Sequence, residues 1–406
     1  MIEEITFKNV LSYKDEVTLS FEAVDDTFME SSHVRTMADG TRLLRLGVVY
    51  GANASGKSNL LKAINALRLF WENVTIADGD KICIEPFKLD LETPYMPSVY
   101  TVKFWVNGKR YIYELETTRK IVTKEFLSFY DGDDLVFLFH RTYDGAKSVI
   151  EFNESIMQIG DVEKTTLQVN CLVNMSVFAA RSKVNISLKP IDEVRAWING
   201  SFAKLVDQST DLMKSSIDLL DNDNDFHNYI VDFLRKSDFN INEFNTVAKR
   251  GRFLEEGESA RSLEFIHSVK NARGEENYKF GYKMQSDGTK KVLGMESSIY
   301  STVKKNSFLM IDEFETSIHP DLSEYMLERF LEEKNDSQLL ISTHSDYFLY
   351  MIDDLLRKDN FWFVEKKEDG SSDLYSLVEF KGIDEIKDFA QTYRNGRFGA
   401  LPNIKR

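Results

Sequence analysis

Eight consecutive residues near the N-terminus have the composition and spacing of a phosphate-binding loop. The stretch Gly51–Ser58, with the sequence GANASGKS, fits the Walker A pattern G-x-x-x-x-G-K-S. Its glycines would let backbone N–H groups point at phosphate oxygens, and a following helix would add a favourable dipole. We predict that Lys57 contacts the β- and γ-phosphates of ATP and that Ser58 ligates Mg²⁺. The expected nucleotide-binding residues here are Gly51, Asn53, Ala54, Ser55, Gly56, Lys57, Ser58 and Asn59.

A pair of adjacent carboxylates follows an apolar stretch later in the chain. Phe308–Ile311 is apolar throughout, and Asp312 and Glu313 come directly after it. This is the arrangement of a Walker B motif, in which a buried strand ends in acidic side chains. We predict that Asp312 holds Mg²⁺ through its water shell and that Glu313 polarises the water that attacks the γ-phosphate.

A third polar cluster ends another apolar stretch. Leu339–Ile341 is followed by Ser342, Thr343 and His344. A histidine at the end of the strand after Walker B could hydrogen-bond the γ-phosphate or the attacking water and so sense the bound nucleotide. A structural cap is the alternative interpretation of His344.

A small polar turn precedes the Walker B stretch. It contains Ser286, Gly288 and Thr289 and leads into a helical pattern. A Ser-x-Gly turn at a helix N-terminus can bind an anion. Because the chain already has one phosphate loop, we predict that this turn binds the γ-phosphate of ATP held by another subunit. A plain N-cap for the following helix is the alternative.

The surrounding pattern of apolar residues predicts the elements that position these motifs. Alternating residues in Ile2–Phe7 and Val17–Phe21 predict a hairpin, and the apolar run Leu46–Tyr50 predicts a central strand. Strands and helices alternate again after about Tyr278, which is typical of an α/β fold with a parallel sheet. We expect an N-terminal ATPase lobe with Walker A (1–85), an antiparallel β-subdomain (86–150), a mainly helical insertion (151–274), and a C-terminal lobe with the signature-like turn, Walker B and the switch histidine (275–406).

Composition narrows the class of protein. The 406 residues include 51 basic and 66 acidic side chains, a net charge of −15, which disfavours a surface that binds nucleic acid or anionic lipid as a whole. The chain has no apolar run long enough to span a membrane and no signal-peptide pattern at its start, so we expect a cytoplasmic protein. Cys83 and Cys171 have no Cys or His at metal-ligand spacing. We therefore expect two buried thiols rather than a zinc site.

The order of these motifs resembles the ABC-type ATPase heads of the SMC, Rad50, RecF and OLD-like group. Within that group the chain looks most like the AAA15/AAA21 (RloA/AbiLi-like) ATPases of bacterial anti-phage defence and abortive-infection systems. The resemblance covers about residues 1–130 and 275–406. It includes Glu85–Asp90 after the first helix, Ile318–Pro320 after Walker B, and the tail Gly396–Pro402.

The resemblance implies an ABC-ATPase-like P-loop fold with ATP and Mg²⁺ as ligands. It gives Ser286, Gly288 and Thr289 the signature role and His344 the switch role, with Lys57, Glu313 and His344 as catalytic residues. Two features depart from the pattern. The signature Leu-Ser-Gly-Gly-Gln of transporter ATPases is absent, and no glutamine stands at the Q-loop position near Glu85. A transporter subunit is therefore disfavoured.

Three classes of function follow from these observations. The first is an ATP-hydrolysing switch that pairs head to tail as a homodimer or higher oligomer and, by the resemblance, controls an effector such as a Toprim-type nuclease in phage defence. The second is a RecF- or Rad50-like DNA-binding repair ATPase, with candidate basic residues at Lys249–Arg252, Arg394, Arg397 and Lys405–Arg406. The third, a stand-alone P-loop kinase or GTPase, is disfavoured by the long separation of Walker A from Walker B and by the extra turn at Ser286.

Overall fold

The computed structural model describes residues 1–237, 239, 241–248, 261–272 and 274–402. This part of the chain forms two compact units. The first comprises Met1–Leu205, Lys305–Phe314 and Lys334–Arg406, and the second comprises Val206–Lys304 and Glu315–Glu333.

The strands of the described residues are numbered in chain order. They are β1 (Ile2–Lys8), β2 (Val17–Ser20), β3 (Val34–Thr36), β4 (Arg42–Leu44), β5 (Leu46–Tyr50), β6 (Ser98–Val106), β7 (Lys109–Thr117), β8 (Val122–Asp131), β9 (Asp134–Tyr143), β10 (Ser148–Phe152), β11 (Ile241–Ala248), β12 (Arg261–Asn271), β13 (Gly274–Gly281), β14 (Phe308–Ile311), β15 (Gln338–Thr343), β16 (Phe361–Lys366) and β17 (Ser372–Ser376).

The α-helices of the same residues are numbered in the same way. They are α1 (Glu30–His33), α2 (Lys57–Glu72), α3 (Glu154–Met157), α4 (Asp161–Asn170), α5 (Val177–Ser182), α6 (Lys189–Ser201), α7 (Leu212–Asn222), α8 (Asn224–Lys236), α9 (Asp287–Lys305), α10 (Pro320–Glu332) and α11 (Phe389–Arg394). Among the described helices, none is long and apolar enough to cross a membrane.

The first unit contains a parallel sheet that carries the predicted motifs. Its strand order is β14-β15-β5-β16-β17, and the first four strands are parallel, while β17 pairs antiparallel at the edge. Every residue of β5, β14 and β15 is buried, which is typical of central strands covered on both faces. Together with the helices and the antiparallel sheet described next, this sheet confirms the predicted α/β P-loop fold class.

An antiparallel sheet forms the other large layer of the first unit. Its strand order is β10-β9-β8-β7-β6-β1-β2, so the predicted N-terminal hairpin and the predicted β-subdomain are one sheet. The β6–β7 turn is the predicted Asn107-Gly108, in which both residues have positive φ, as a type I′ hairpin requires. The β16–β17 hairpin also forms as predicted, with Gly370 at positive φ.

Helix α2 joins these layers through one apolar stripe. Leu60, Leu61, Ile64 and Leu67 are fully buried. Trp71, near the end of the helix, makes an edge contact with Tyr113 of the antiparallel sheet, with ring centroids 5.2 Å apart. Packing of this kind contributes about 0.5–1.5 kcal/mol beyond area burial. The first turn of α2, where the phosphate loop ends, is therefore held by the core.

The structure corrects the expectation that both cysteines are buried, and it adds a small sheet to the stretch that was expected to be mainly helical. The stretch 151–274 contains helices α3 to α8, but it also contains β11 and β12, which pair in the three-stranded antiparallel sheet β11-β12-β13. In β11 the apolar residues Ile241, Phe244 and Val247 are three apart, and only Leu263 and Phe265 of β12 alternate with a polar residue. Cys171 is buried, but Cys83 is exposed. The four-part division at 85, 150 and 274 stays a prediction.

A buried carboxyl group lies among three helices of the second unit. Glu296 on α9 is fully buried, and the Tyr229 hydroxyl of α8 donates to its Oε2 at 2.6 Å. Its Oε1 has no hydrogen-bond partner among the described residues. Desolvation raises the pKa of Glu296 to about 7, although the Tyr229 hydrogen bond and Arg329 of α10 act to lower it.

This raised pKa predicts a pH-dependent stability. Glu296 stays neutral in the folded protein up to about pH 7, whereas in the unfolded chain it ionises near its ordinary value of 4.5. The stabilisation from this group is therefore complete below pH 4.5 and is lost as the pH rises through 7, by roughly 3 kcal/mol in total. We expect Glu296→Gln, which stays neutral and can still accept from Tyr229, to be more stable than the native protein at pH 8 and similar to it at pH 4.5.

Urea unfolding midpoints at the two pH values measure this effect. Glu275→Gln is the matched control, because Glu275 is exposed in the same unit. The prediction is contradicted if the difference in urea midpoint between Glu296→Gln and the native protein is no larger at pH 8 than at pH 4.5.

Candidate functional site

The Gly51–Ser58 stretch forms a tight loop between β5 and α2. A Cβ atom on Gly51 would lie 2.4 Å from the Val364 carbonyl oxygen, so a side chain does not fit there. Ala54 and Gly56 have φ values of 62° and 125°, and only the glycine adopts its value without steric strain. The sequence folds this way because glycines stand where the backbone must pass closest to its neighbours.

The lysine of this loop lies inside it. Lys57 is 8% exposed, and its Nζ donates to the carbonyl oxygens of Gly51 at 2.7 Å and Ala52 at 3.1 Å. The Ser55 hydroxyl is buried in the same loop without a hydrogen-bond partner among the described residues. The Lys57 ammonium group and the Ser55 hydroxyl lie inside the loop, and both could donate hydrogen bonds to a phosphate bound there.

Residues distant in sequence brace the loop from outside. The Tyr13 hydroxyl donates to the Gly56 carbonyl oxygen at 3.1 Å. The Ser372 hydroxyl donates to the Ser55 carbonyl oxygen at 2.5 Å and lies 2.8 Å from the Ser12 hydroxyl. Sequence reasoning missed these contacts, because nothing in the Walker A pattern indicates which other strands reach the loop.

The Walker B carboxylates stand at the end of β14. Glu313 has φ = 52°, a left-handed conformation for a residue with a side chain, and such conformations cluster at functional sites. Its N–H donates to the Ser342 hydroxyl at 2.9 Å, and that hydroxyl donates to Asp312 Oδ1 at 2.5 Å. Ser342 stands two residues before His344 in the sequence, but no sequence pattern indicates its bonds to the Walker B residues.

Three of the predicted groups meet at one edge of the parallel sheet. The P-loop follows β5, Asp312 and Glu313 follow β14, and His344 follows β15. These strands are neighbours and parallel, in the order β14-β15-β5, so their carboxyl ends lie side by side. Ligands of open α/β sheets bind at such an edge. Asp312 and Glu313 are partly exposed and His344 is exposed, so all three can be reached by a ligand.

The predicted signature turn belongs to the second unit. Ser286 Oγ accepts from the Thr289 backbone N–H at 3.0 Å, so Ser286 caps α9, as the alternative interpretation held. A Cβ on Gly288 would lie 2.7 Å from the Ser317 carbonyl oxygen, so this turn packs against the loop before α10. A cavity of about 620 Å³ borders Ser286, Gly288 and His319 within this unit. An anion-binding role for the turn stays a prediction.

A further cavity adjoins the P-loop. It has a volume of about 330 Å³, and its lining includes Leu11, Ala54, Asn59 and Lys366, together with Glu85 and its neighbours. The Glu85–Lys88 segment is where the sequence lacks a Q-loop glutamine. Glu85 instead forms ion pairs with Lys88 and Arg119.

The residues of the site suit Mg²⁺ bound together with a nucleotide better than a metal ion held by protein side chains alone. Within the described ranges, no group of three or more His, Cys, Asp or Glu side chains could hold a metal ion. Mg²⁺ bound to a nucleotide usually needs only one or two protein oxygens, because water and phosphate supply the rest. Magnesium ligation by the Ser58 hydroxyl and the Asp312 carboxylate is consistent with that need and stays a prediction.

A family model described as "AAA domain, putative AbiEii toxin, Type IV TA system" matches residues 46–157 and 186–349. The chain belongs to this family. The match confirms the predicted resemblance to the AAA21 set and makes the chain a P-loop protein of ATPase type. It spans the P-loop, the signature-like turn, Walker B and His344. No curated protein matches the chain in sequence.

Solved structures give distant likenesses. An SMC head domain from Thermotoga maritima is 14% identical, with 92% of this chain and 98% of that chain covered, at a TM-score of 0.41. An Smc head domain with an extended coiled coil bound to the C-terminal domain of ScpA, derived from Pyrococcus furiosus, is 13% identical, with 95% and 98% covered, at 0.43. An SmcHead bound to the C-winged helix domain of ScpA is also 13% identical, with 93% and 99% covered, at 0.43.

The basic residues considered for DNA binding form no described patch. Lys249–Arg252 and Lys405–Arg406 lie outside the described residues. Arg394 forms an ion pair with Asp346, and Arg397 donates to the Lys381 carbonyl oxygen at 3.0 Å. The DNA-binding alternative stays a prediction.

A glycine substitution tests the shape of the P-loop. In Gly56→Ala, the added Cβ would lie 2.2 Å from Ser372 Oγ, at a backbone conformation that alanine adopts only with strain. Strain of about 1–3 kcal/mol should weaken ATP binding roughly tenfold or more. Titration calorimetry with ATP and Mg²⁺ measures the affinity. Gly79→Ala, at a position with open space around it, should bind as the native protein does, and equal affinity for the two variants would refute the account.

Proposed function

We propose that this protein is an ATP-hydrolysing molecular switch. The observation that carries the proposal is the meeting of the P-loop with Asp312 and Glu313 at one edge of a parallel sheet, with Glu313 in a left-handed conformation. Membership of an AAA-domain family supports it. A site that holds phosphates and carries a carboxylate for water is suited to phosphoanhydride hydrolysis.

Each residue of the site has a proposed task. Backbone N–H groups of the loop and Lys57 bind the phosphates, and the cavity beside Asn59 receives the nucleoside. Ser58 and Asp312 hold Mg²⁺, which when bound neutralises charge on the β- and γ-phosphates. Glu313 orients and polarises the attacking water. His344 hydrogen-bonds the γ-phosphate or the water and thereby reports which nucleotide is bound.

The switch is proposed to work between two copies. Ser286, Gly288 and Thr289 of one copy bind the γ-phosphate held by the other, so that ATP joins the copies and hydrolysis separates them. The cavity beside Ser286 and Gly288 supports this role because it leaves room next to the turn. The cap on α9 does not exclude it, since the cap uses the Ser286 oxygen as an acceptor. Its hydrogen can point to a phosphate when the Thr289 hydroxyl donates in the 2.8 Å bond between the two hydroxyls.

The biological setting is proposed from the family. Its description names a toxin and a type IV TA system, which supports a role in phage defence or abortive infection. Control of a separate effector, such as a Toprim-type nuclease, rests on the resemblance of the motifs alone.

Two substitutions test the catalytic assignment. Glu313→Gln keeps the size of the side chain but removes the base, so it should bind ATP with native affinity and release phosphate about 10²–10⁴ times more slowly. Lys57→Ala should lose ATP binding itself, because it removes the cation inside the loop. Phosphate release and calorimetric titration separate the two effects. Native turnover by Glu313→Gln would remove this residue from the catalytic role.

A further inference from the structure

Ser342 contacts three consecutive residues at the end of the neighbouring strand. Its hydroxyl donates to the Asp312 carboxylate at 2.5 Å and accepts from the Glu313 N–H at 2.9 Å. Its own carbonyl oxygen accepts from the Phe314 N–H at 3.0 Å. Ser342 is fully buried, so water does not compete for these bonds.

These contacts bear on a strained segment of backbone. Glu313 adopts φ = 52°, a conformation that is sterically unfavourable for a residue with a Cβ and persists only where the surroundings hold it. The N–H groups of Glu313 and Phe314 are both bound by Ser342, one by its side chain and one by its main chain. Ser342 therefore holds the backbone on both sides of the strained position, and its side chain supplies the bond to the Glu313 N–H.

Chemistry fixes the direction of the proton in this network. A hydroxyl has one hydrogen, and a backbone N–H can only donate, so the Ser342 oxygen accepts from Glu313 and its hydrogen points to Asp312. A hydrogen bond to a carboxylate is about twice as strong as one between neutral groups. Oδ1 of Asp312 is thereby engaged, which orients the carboxylate and directs Oδ2 elsewhere.

We propose that Ser342 is the positioning residue of the Walker B pair, orienting the Asp312 carboxylate for the magnesium nucleotide and holding Glu313 in its left-handed conformation. The proposal rests on the proposed ATPase function for its effect on turnover. Its structural part, the hold on Glu313 and Phe314, does not depend on that function.

The test compares two buried serines at opposite ends of the same strand. Ser342→Ala removes the hydroxyl at the carboxyl end of β15. Ser337→Ala removes an equally buried hydroxyl just before the strand begins, where it bonds Arg45 and Asn335 instead. Ser342→Cys, which fills the same space with a weak donor, replaces the alanine variant if that protein does not fold. Ser342→Thr, which restores a hydroxyl, is the rescue variant.

Two measurements distinguish positioning from general stability. The first is the Mg²⁺ concentration needed for half-maximal ATP binding and turnover, which should rise roughly 10–100-fold in Ser342→Ala, as for other residues that orient a metal ligand. The second is hydrogen exchange of the Glu313 and Phe314 amides without nucleotide, which should be faster in Ser342→Ala and Ser342→Cys. Ser337→Ala should match the native protein in both, and Ser342→Thr should recover most of the loss.

Each outcome decides one part of the account. If Ser342→Ala and Ser337→Ala have the same magnesium requirement and the same amide exchange, the positioning role is wrong, even where the native protein hydrolyses ATP. If the native protein neither binds nor hydrolyses ATP, the proposed function is wrong, and the amide exchange alone decides whether Ser342 holds Glu313.

Discussion

The whole site depends on three parallel strands that end at one edge of a sheet. β14, β15 and β5 are neighbours, and every residue in them is buried. The polar residues that follow these strands are far apart in the sequence, from Gly51 after β5 to His344 after β15. Burial of the apolar strands stabilises the sheet. Because the strands are parallel neighbours, the P-loop, Asp312, Glu313 and His344 all lie at the same edge. Residues that are far apart in the sequence are therefore close together in the folded sheet.

Beyond the strand ends, the backbone is held in conformations that it would not adopt alone. Ala54, Gly56 and Glu313 all have positive φ. Near each of them, hydrogen bonds from other elements brace the chain: Tyr13 and Ser372 at the P-loop, and Ser342 at Walker B. The site is thus preorganised by contacts between elements, and the local strain is offset by bonds that exist only in the folded sheet.

The sequence predicts the parts of this site whose chemistry is local. Gly51–Ser58 and Asp312-Glu313 carry their own signals, because tight turns need glycine and strands that end in acids stand out against apolar runs. The bracing contacts carry no such signal. Ser372 looks like any hairpin serine, and only the pairing of β16 with β5 brings its hairpin to the P-loop. The three-stranded sheet β11-β12-β13 was missed because its apolar residues are few and widely spaced.

At the turn that contains Ser286, the sequence pattern and the observed hydrogen bonds indicate different roles. Its spacing fits a signature role, while its observed hydrogen bond to the Thr289 N–H is that of an ordinary helix cap. A residue can do both, since capping uses one lone pair of the hydroxyl oxygen and leaves its hydrogen to donate. Which role governs function depends on whether two copies share ATP.

Light scattering after gel filtration tests that claim most directly. The Glu313→Gln protein is run at low concentration, with and without ATP and Mg²⁺, beside Lys57→Ala as a control that should not respond. The account predicts that its mass at least doubles only with ATP, and that adding Ser286→Asn, which keeps the cap but removes the hydroxyl, abolishes the change. A mass that stays monomeric in both conditions, or that is unchanged by ATP, would contradict the account.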